Sequence, residues 1–130
     1  MLKISIAKTA QQIDEVLQMR HQVMANIQNP TVKASTLRLM DRFDTFPSTT
    51  HLVVSQNHCI IGSLRLTLET PAQTPAEAVY DFRGAMALDP DAGHTRLSCD
   101  QYYAYPAFAS PQFMLGLLLM ASYLAMSQGV

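Results

Sequence analysis

The sequence predicts an α/β (α+β) fold in which a sheet is flanked by helices. Three observations carry this reading. Alternation with a period of two recurs at Lys3–Ala7, His51–Ser55, Cys59–Leu68 and Thr95–Ala104. A stripe of apolar residues at helical spacing lies between the first and second of these segments. An uncharged apolar run, Phe113 to Met126, follows the last one.

In the first segment Ile4 and Ile6 share a face, which suits a short strand. Thr9 is placed to cap a helix starting near Ala10, with Asp14 and Glu15 in its early turns. Ile13, Val16, Leu17, Arg20 and Val23 fall on one stripe of that helix, and Arg20 is the anomaly because it sits on the apolar side. Asn29-Pro30 is expected to end this segment, and Val32 to Met40 to form a second helical piece with Leu37 and Met40 on one face. Asp41 to Pro47 reads as a polar and aromatic loop.

His51–Ser55 and Cys59–Leu68 read as a hairpin turning at Gln56-Asn57-His58. In its second strand Leu64, Leu66 and Leu68 alternate with Ser63, Arg65 and Thr67. Thr70 to Pro75 is a loop. Thr95 to Ala104 is a strand with Leu97, Cys99 and Gln101 opposite Arg96, Ser98 and Asp100, broken by Tyr105-Pro106. Ser110 caps the final helix, with Pro111 at its first position and Gly129 at its end. The apolar run is too short for a spanning helix, which needs about 18 residues or more, and reads as a buried core helix with Met114, Met120 and Met126 as filler.

The chain has 130 residues, 48% hydrophobic and 15% charged, enough for one domain, 1–130, around one core. Its formal net charge of -1 supplies no basic patch for nucleic acid. Cys59 and Cys99 match no metal or redox spacing and are expected as free buried thiols in a reducing, cytoplasmic compartment; no signal peptide is visible. His21, His51, His58 and His94 share no ligand spacing, so no metal is expected, and each reads as a surface or turn histidine.

Four motifs occur in order: Arg20 within Met19-Arg20-His21-Gln22-Val23, Asp41-Arg42-Phe43-Asp44, Ile61-Gly62-Ser63-Leu64-Arg65-Leu66, and Thr95-Arg96-Leu97. Together they resemble the branch of the GNAT superfamily that holds autoinducer synthases and N-acyl amino acid synthases. The resemblance covers most of the chain. Three departures stand out: Ala92-Gly93-His94-Thr95 lacks the acidic residue usual before the arginine matched by Arg96, the chain has no Trp, and Tyr105 to Pro111 replaces the Gly-rich cofactor loop. The first two favour the N-acyl amino acid synthases over the lactone makers, and the third disfavours an ordinary acetyltransferase.

The resemblance implies a GNAT-like mixed sheet lacking its C-terminal strands, a domain incomplete at its C-terminus, so that either the chain is a fragment or a partner supplies the remainder. It also implies transfer of an acyl group from an acyl carrier protein or acyl-CoA thioester to the amine of an amino acid-like acceptor. On that basis Asp44, Arg65 and Arg96 are the expected catalytic residues. Arg20, Asp41, Phe43, Ser98, Cys99 and Tyr102 are the expected substrate contacts. A bulge near Ser98 to Asp100 would supply an N–H for the developing oxyanion.

Other readings of the same residues stay open. Asp41 and Asp44 suit caps in a solvated loop, Arg65 suits a solvent face, and one Arg–Asp network accounts for Arg20, Arg65 and the two aspartates without catalysis. Tyr102, Tyr103, Tyr105 and Phe108 suit either an acyl pocket or packing. The alternative function is a catalytically silent module that forms a homodimer or pairs its last strand with a partner chain.

Overall fold

The structure is a computed structural model that describes residues 1–31, 36–68 and 97–127. Its elements run β1 (Lys3–Ile6), α1 (Ala10–Met24), a short 3-10 turn (Arg42–Thr45), β2 (Thr49–Gln56), β3 (Cys59–Leu68), β4 (Leu97–Ala104) and α2 (Pro111–Ser127). The α+β class is as expected. The four strands form one sheet in the order β1-β2-β3-β4, and each described pairing is antiparallel.

Local chemistry sets the boundaries. Thr9 and Gln12 cap α1 reciprocally: Thr9 Oγ1 accepts from Gln12 N at 3.1 Å, and Gln12 Oε1 accepts from Thr9 N at 3.1 Å. The helix ends before the expected Asn29-Pro30. Asn26 takes the left-handed conformation (φ 62°), and its neighbour Ile27 donates back to Gln22 O at 3.0 Å, which turns the chain out of the helix. The β2–β3 hairpin turns on Asn57 and His58, both at positive φ (52° and 65°), as a two-residue turn matched to strand twist requires.

The second helical piece expected over Val32 to Met40 is not borne out where it is described. Residues 36–40 are extended or irregular, and Leu37 and Met40 are exposed. This stretch lies along the outside of α1, held by Leu39 N donating to Leu17 O and by an Arg38–Asp14 ion pair at 2.6 Å. The loop expected at Thr70 to Pro75 lies outside the described residues.

The strand register sorts side chains onto two faces. Ile4, Ile6, Leu52, Val54, Leu64 and Leu66 face α2, packing with Leu117 and Ala121. Phe113 of α2 rests over Gly62, where a Cβ would meet its ring at 2.7 Å. The opposite face carries Val53, against which Val16 and Ala7 pack, and then a run of polar residues under α1 and the 3-10 turn.

Helix α2 does not become the buried core helix the apolar run suggests. Its sheet-facing stripe is buried, while Met114, Leu115, Leu118, Leu119, Tyr123 and Met126 are exposed. One sheet face can cover only one side of a helix, so Met114 and Met126 are not core filler among the described residues. None of the described helices is long and apolar enough to cross a membrane.

Gly62→Ala should force Phe113 aside and destabilise the fold by about 1–3 kcal/mol, the usual cost of overpacking a filled core. A urea unfolding midpoint unchanged from wild type would contradict this packing.

Candidate active site

The polar face of the sheet is buried. Ser63, Arg65 and Thr67 on β3 are each at most 1% exposed, and Ser98 on β4 is 4% exposed. The alternation of β3 thus separates two buried faces rather than core from solvent.

Arg65 stands at the centre of the charged part of this face. Its Nε and Nη2 donate to the two carboxylate oxygens of Asp100 on β4 at 2.8 and 2.7 Å, a bidentate pair. Its Nη1 donates to Asp41 Oδ1 at 2.5 Å and to Asp44 Oδ1 at 3.1 Å. Asp44 Oδ1 also accepts from Arg20 Nη1 of α1 at 2.8 Å. Helix, turn and two strands therefore meet in one network of two guanidinium groups and three carboxylates.

The 3-10 turn is built to deliver those carboxylates. Asp41 Oδ1 accepts from Phe43 N at 2.9 Å, and Asp44 Oδ2 accepts from Asp41 N at 2.8 Å. Both aspartates therefore cap the turn and hold arginine at once, but the turn is not the solvated loop expected, because Asp44 is buried. Phe43 is buried, its ring 5.7 Å from Arg65 Cζ and 4.7 Å from Arg42 Cζ, and it packs edge-on to Phe46.

The surroundings bias each protonation state. Burial opposes charge on Asp44. The Asp41 N–H, the Arg20 hydrogen bond and charge, and the Arg65 charge outweigh it and hold the carboxyl below the usual range. Burial likewise opposes charge on Arg65, but its hydrogen bonds to Asp100 and Asp41 raise its basicity. His51 of β2 lies in the same cluster, 2% exposed, with Nδ1 3.2 Å from Arg20 Nη2. Burial and then the Arg20 charge push it below the ordinary histidine value.

Next to the network, β4 is irregular. Ser63 pairs with Tyr103 and Arg65 with Asp100, so β4 carries one residue more than β3 over this interval. Gln101, inside that interval, has φ 52°. The bulge thus sits just after the Ser98 to Asp100 stretch where it was expected. It turns Tyr103 to the same face as Asp100, with the Tyr103 ring 6.0 Å from Arg20 Cζ.

A family model described as "N-acyl amino acid synthase FeeM" matches residues 15–130, which includes every residue of this network. The chain belongs to the FeeM N-acyl amino acid synthase family. It is an acyltransferase family, whose members act on an acyl donor and an acceptor. The backbone is similar to "The structure of FeeM, an N-acyl amino acid synthase from uncultured soil microbes", with a TM-score of 0.71 and 14% sequence identity. That match covers 100% of this chain and 67% of the FeeM chain and speaks to the fold. No curated protein matches this chain significantly in sequence.

Of the residues matched to this family's pattern, Arg20, Asp41, Phe43, Asp44 and Arg65 come together in the structure. Ser98 lies on the same face, one alternate position along β4 from Asp100. Cys99 does not join them. It opposes Leu66 on the other face and is exposed, contrary to the buried thiol expected, because β4 is an outer strand of the sheet among the described residues. Cys59 is half-buried and its Sγ contacts Pro30 O at 3.1 Å. Tyr102 is partly buried against the α2-side core together with Phe108. Arg96 lies outside the described residues, as does His94.

Asp100 and His51 were given no site role from sequence, and Tyr103 was read only as an acyl-pocket or packing residue. Asp100 takes the bidentate place on Arg65. Tyr103 faces Arg20 only because of the bulge, which the simple alternation hides. His51 corrects the surface or turn reading given to the histidines; its signal was its place at the head of an apolar strand, His51-Leu52-Val53-Val54. His58 does occupy an exposed turn position. Among the described residues no group of three or more His, Cys, Asp or Glu is arranged to hold a metal.

Asp44→Asn leaves two buried arginines short of a counter-charge and should cost about 3–5 kcal/mol in urea unfolding. Arg38→Ala, at an exposed ion pair, should shift the midpoint far less. Equal shifts for the two variants would contradict the network's dominance. For acid unfolding, Asp44 has its carboxyl lowered from 3.8, so the unfolded chain takes up that proton first. Its contribution is complete well above pH 3.8 and is lost as pH falls through the lower, folded value. Asp44→Asn should flatten the stability profile in that acid window.

Proposed function

We propose that this chain is an N-acyltransferase that moves an acyl group from an acyl carrier protein or acyl-CoA thioester to the amine of an amino acid-like acceptor. One observation carries the reading: in a member of the N-acyl amino acid synthase family, a buried Arg20–Asp44–Arg65–Asp100 network lies directly beside a bulged β4.

The chemistry follows from that juxtaposition. The acceptor nitrogen attacks the thioester carbonyl, a C–N bond forms, the C–S bond breaks, and the amine proton leaves with the thiol. Asp41 and Asp100 are the members of the network with solvent-accessible carboxylates, 40% and 28% exposed at the side chain. They are the groups suited to meet the acceptor's ammonium and to pass its first proton to solvent, so that the neutral amine attacks and its second proton leaves with the thiol. The bulge, where Gln101 and Tyr102 have no partner in the β3–β4 register, is the place from which this mechanism draws its backbone N–H oxyanion donor. Arg20, Arg65 and Asp44 are buried and bonded within the network, Asp44 to both arginines and Arg65 also to Asp41 and Asp100. Their part is to fix the carboxylates and the bulge rather than to bind substrate directly. Arg96 keeps its catalytic assignment as part of this proposal.

The alternative is a catalytically silent module that self-associates, favoured by the uncharged outer side of α2, where six large apolar side chains are exposed. Light scattering across a concentration series tests it. A monomer throughout, together with turnover, rules it out.

The test of the enzyme reading is an assay with long-chain acyl-CoA and acyl carrier protein thioesters against the standard amino acids, with products identified by mass spectrometry. N-acyl amino acid should accumulate with release of free thiol. Asp41→Asn should lower turnover about tenfold or more through loss of a charged contact, with the fold retained. The absence of product from both donor types with every acceptor would overturn the proposal.

A further inference from the structure

Within the buried network, the Arg20 guanidinium is held on one side by Asp44. On its other side lies His51, whose Nδ1 is 3.2 Å from Arg20 Nη2. A guanidinium nitrogen donates and never accepts, so His51 Nδ1 must be the acceptor. That fixes the tautomer, with the ring proton on Nε2. His51 Nε2 is 3.8 Å from Asp44 Oδ1, beyond hydrogen-bond reach, and has no partner among the described residues. Arg20 Nε is likewise without one. The grip on Arg20 therefore rests on two contacts, Asp44 and His51, and only one of them carries charge.

We propose that His51 is a positioning residue of the acyltransferase site: as a neutral imidazole bearing its proton on Nε2, it fixes the Arg20 guanidinium beneath Tyr103 and against Asp44. The proposal rests on the acyltransferase reading for its effect on turnover, but not for the state of the ring. The groups facing His51 are Arg20 from α1, Asp44 from the 3-10 turn, and Arg65 from β3, whose charge is shared with Asp41 and Asp100. A proton on Nδ1 would point at Arg20 and break the contact. The single carboxylate nearest Nε2 is already committed to both arginines.

The pH consequence has a definite sign. Burial and the arginines lower the imidazole below the ordinary 6.5. As pH falls below that value, the unfolded chain takes up a proton that the folded ring refuses, and stability drops. Above it the contribution is neutral and the contact is intact.

The test compares His51→Asn, whose amide oxygen stands near the Nδ1 position and does not titrate, with His51→Leu, which has no acceptor. At pH 7.5 the Asn variant should retain near wild-type turnover, while the Leu variant should lose about tenfold, the worth of one hydrogen bond to a buried charge. The ratio of wild-type to Asn-variant turnover should hold at pH 6.5 and fall only as pH passes through the lower value of the folded ring, since protonation of the substrate amine cancels in that ratio. Nitrogen-15 NMR of the wild-type ring supplies an arm independent of activity. It should show a neutral Nε2–H imidazole at pH 7 that titrates below the ordinary histidine value of 6.5, with the Asn variant identifying the signal. An Nδ1–H tautomer or an imidazolium at pH 7 would overturn the proposal, as would a Leu variant as active as the Asn variant. If the ring behaves as stated and no acyl transfer is found with wild-type protein, the acyltransferase reading fails and the ring's state stands.

Discussion

Two arginine side chains at 1% exposure are the constraint that organises this molecule. A guanidinium cannot be neutralised by losing its proton, so burying one demands carboxylates with the right geometry. Arg20 and Arg65 come from a helix and a strand, and the three carboxylates that answer them come from a turn and another strand. Satisfying both arginines therefore fixes where α1, the 3-10 turn, β3 and β4 lie relative to one another. Apolar packing on the α2 side fills volume, but it carries no comparable directionality. The charged side sets the register in three dimensions.

This division shows in how much was legible in the sequence. The strands and α1 could be read because their patterns are local: alternation, a capping Thr9, an apolar stripe. The motif residues of the site could be found because the resemblance marks them. What pairs with what could not be read. Asp100 meets Arg65 through strand register, a long-range property, and the bulge at Gln101 shifts Tyr103 by one face in a way no periodic template anticipates. His51 looked like any histidine near a loop. Its burial depends on a helix and a turn that precede it in the chain and close over it.

The errors along the chain share a cause. The piece before Asp41 has helical spacing but too few apolar anchors, and its partner is the outside of α1, where a backbone bond from Leu39 and an ion pair from Arg38 hold it without a helix. Helix α2 is apolar all round, which reads as burial, yet a single sheet face covers only a stripe of it. Local pattern reports what a segment prefers to bury. It does not report how much surface the rest of the molecule offers.

The two aspartates at the 3-10 turn each serve a backbone amide and an arginine side chain, Asp41 through one oxygen and Asp44 through both. A glutamate at either place would carry the same charge one methylene too far out to satisfy both demands. Drift at positions 41 and 44 is therefore tied to positions 20 and 65. Across relatives these four sites should change as a set or stay as they are, even where the surrounding surface diverges freely.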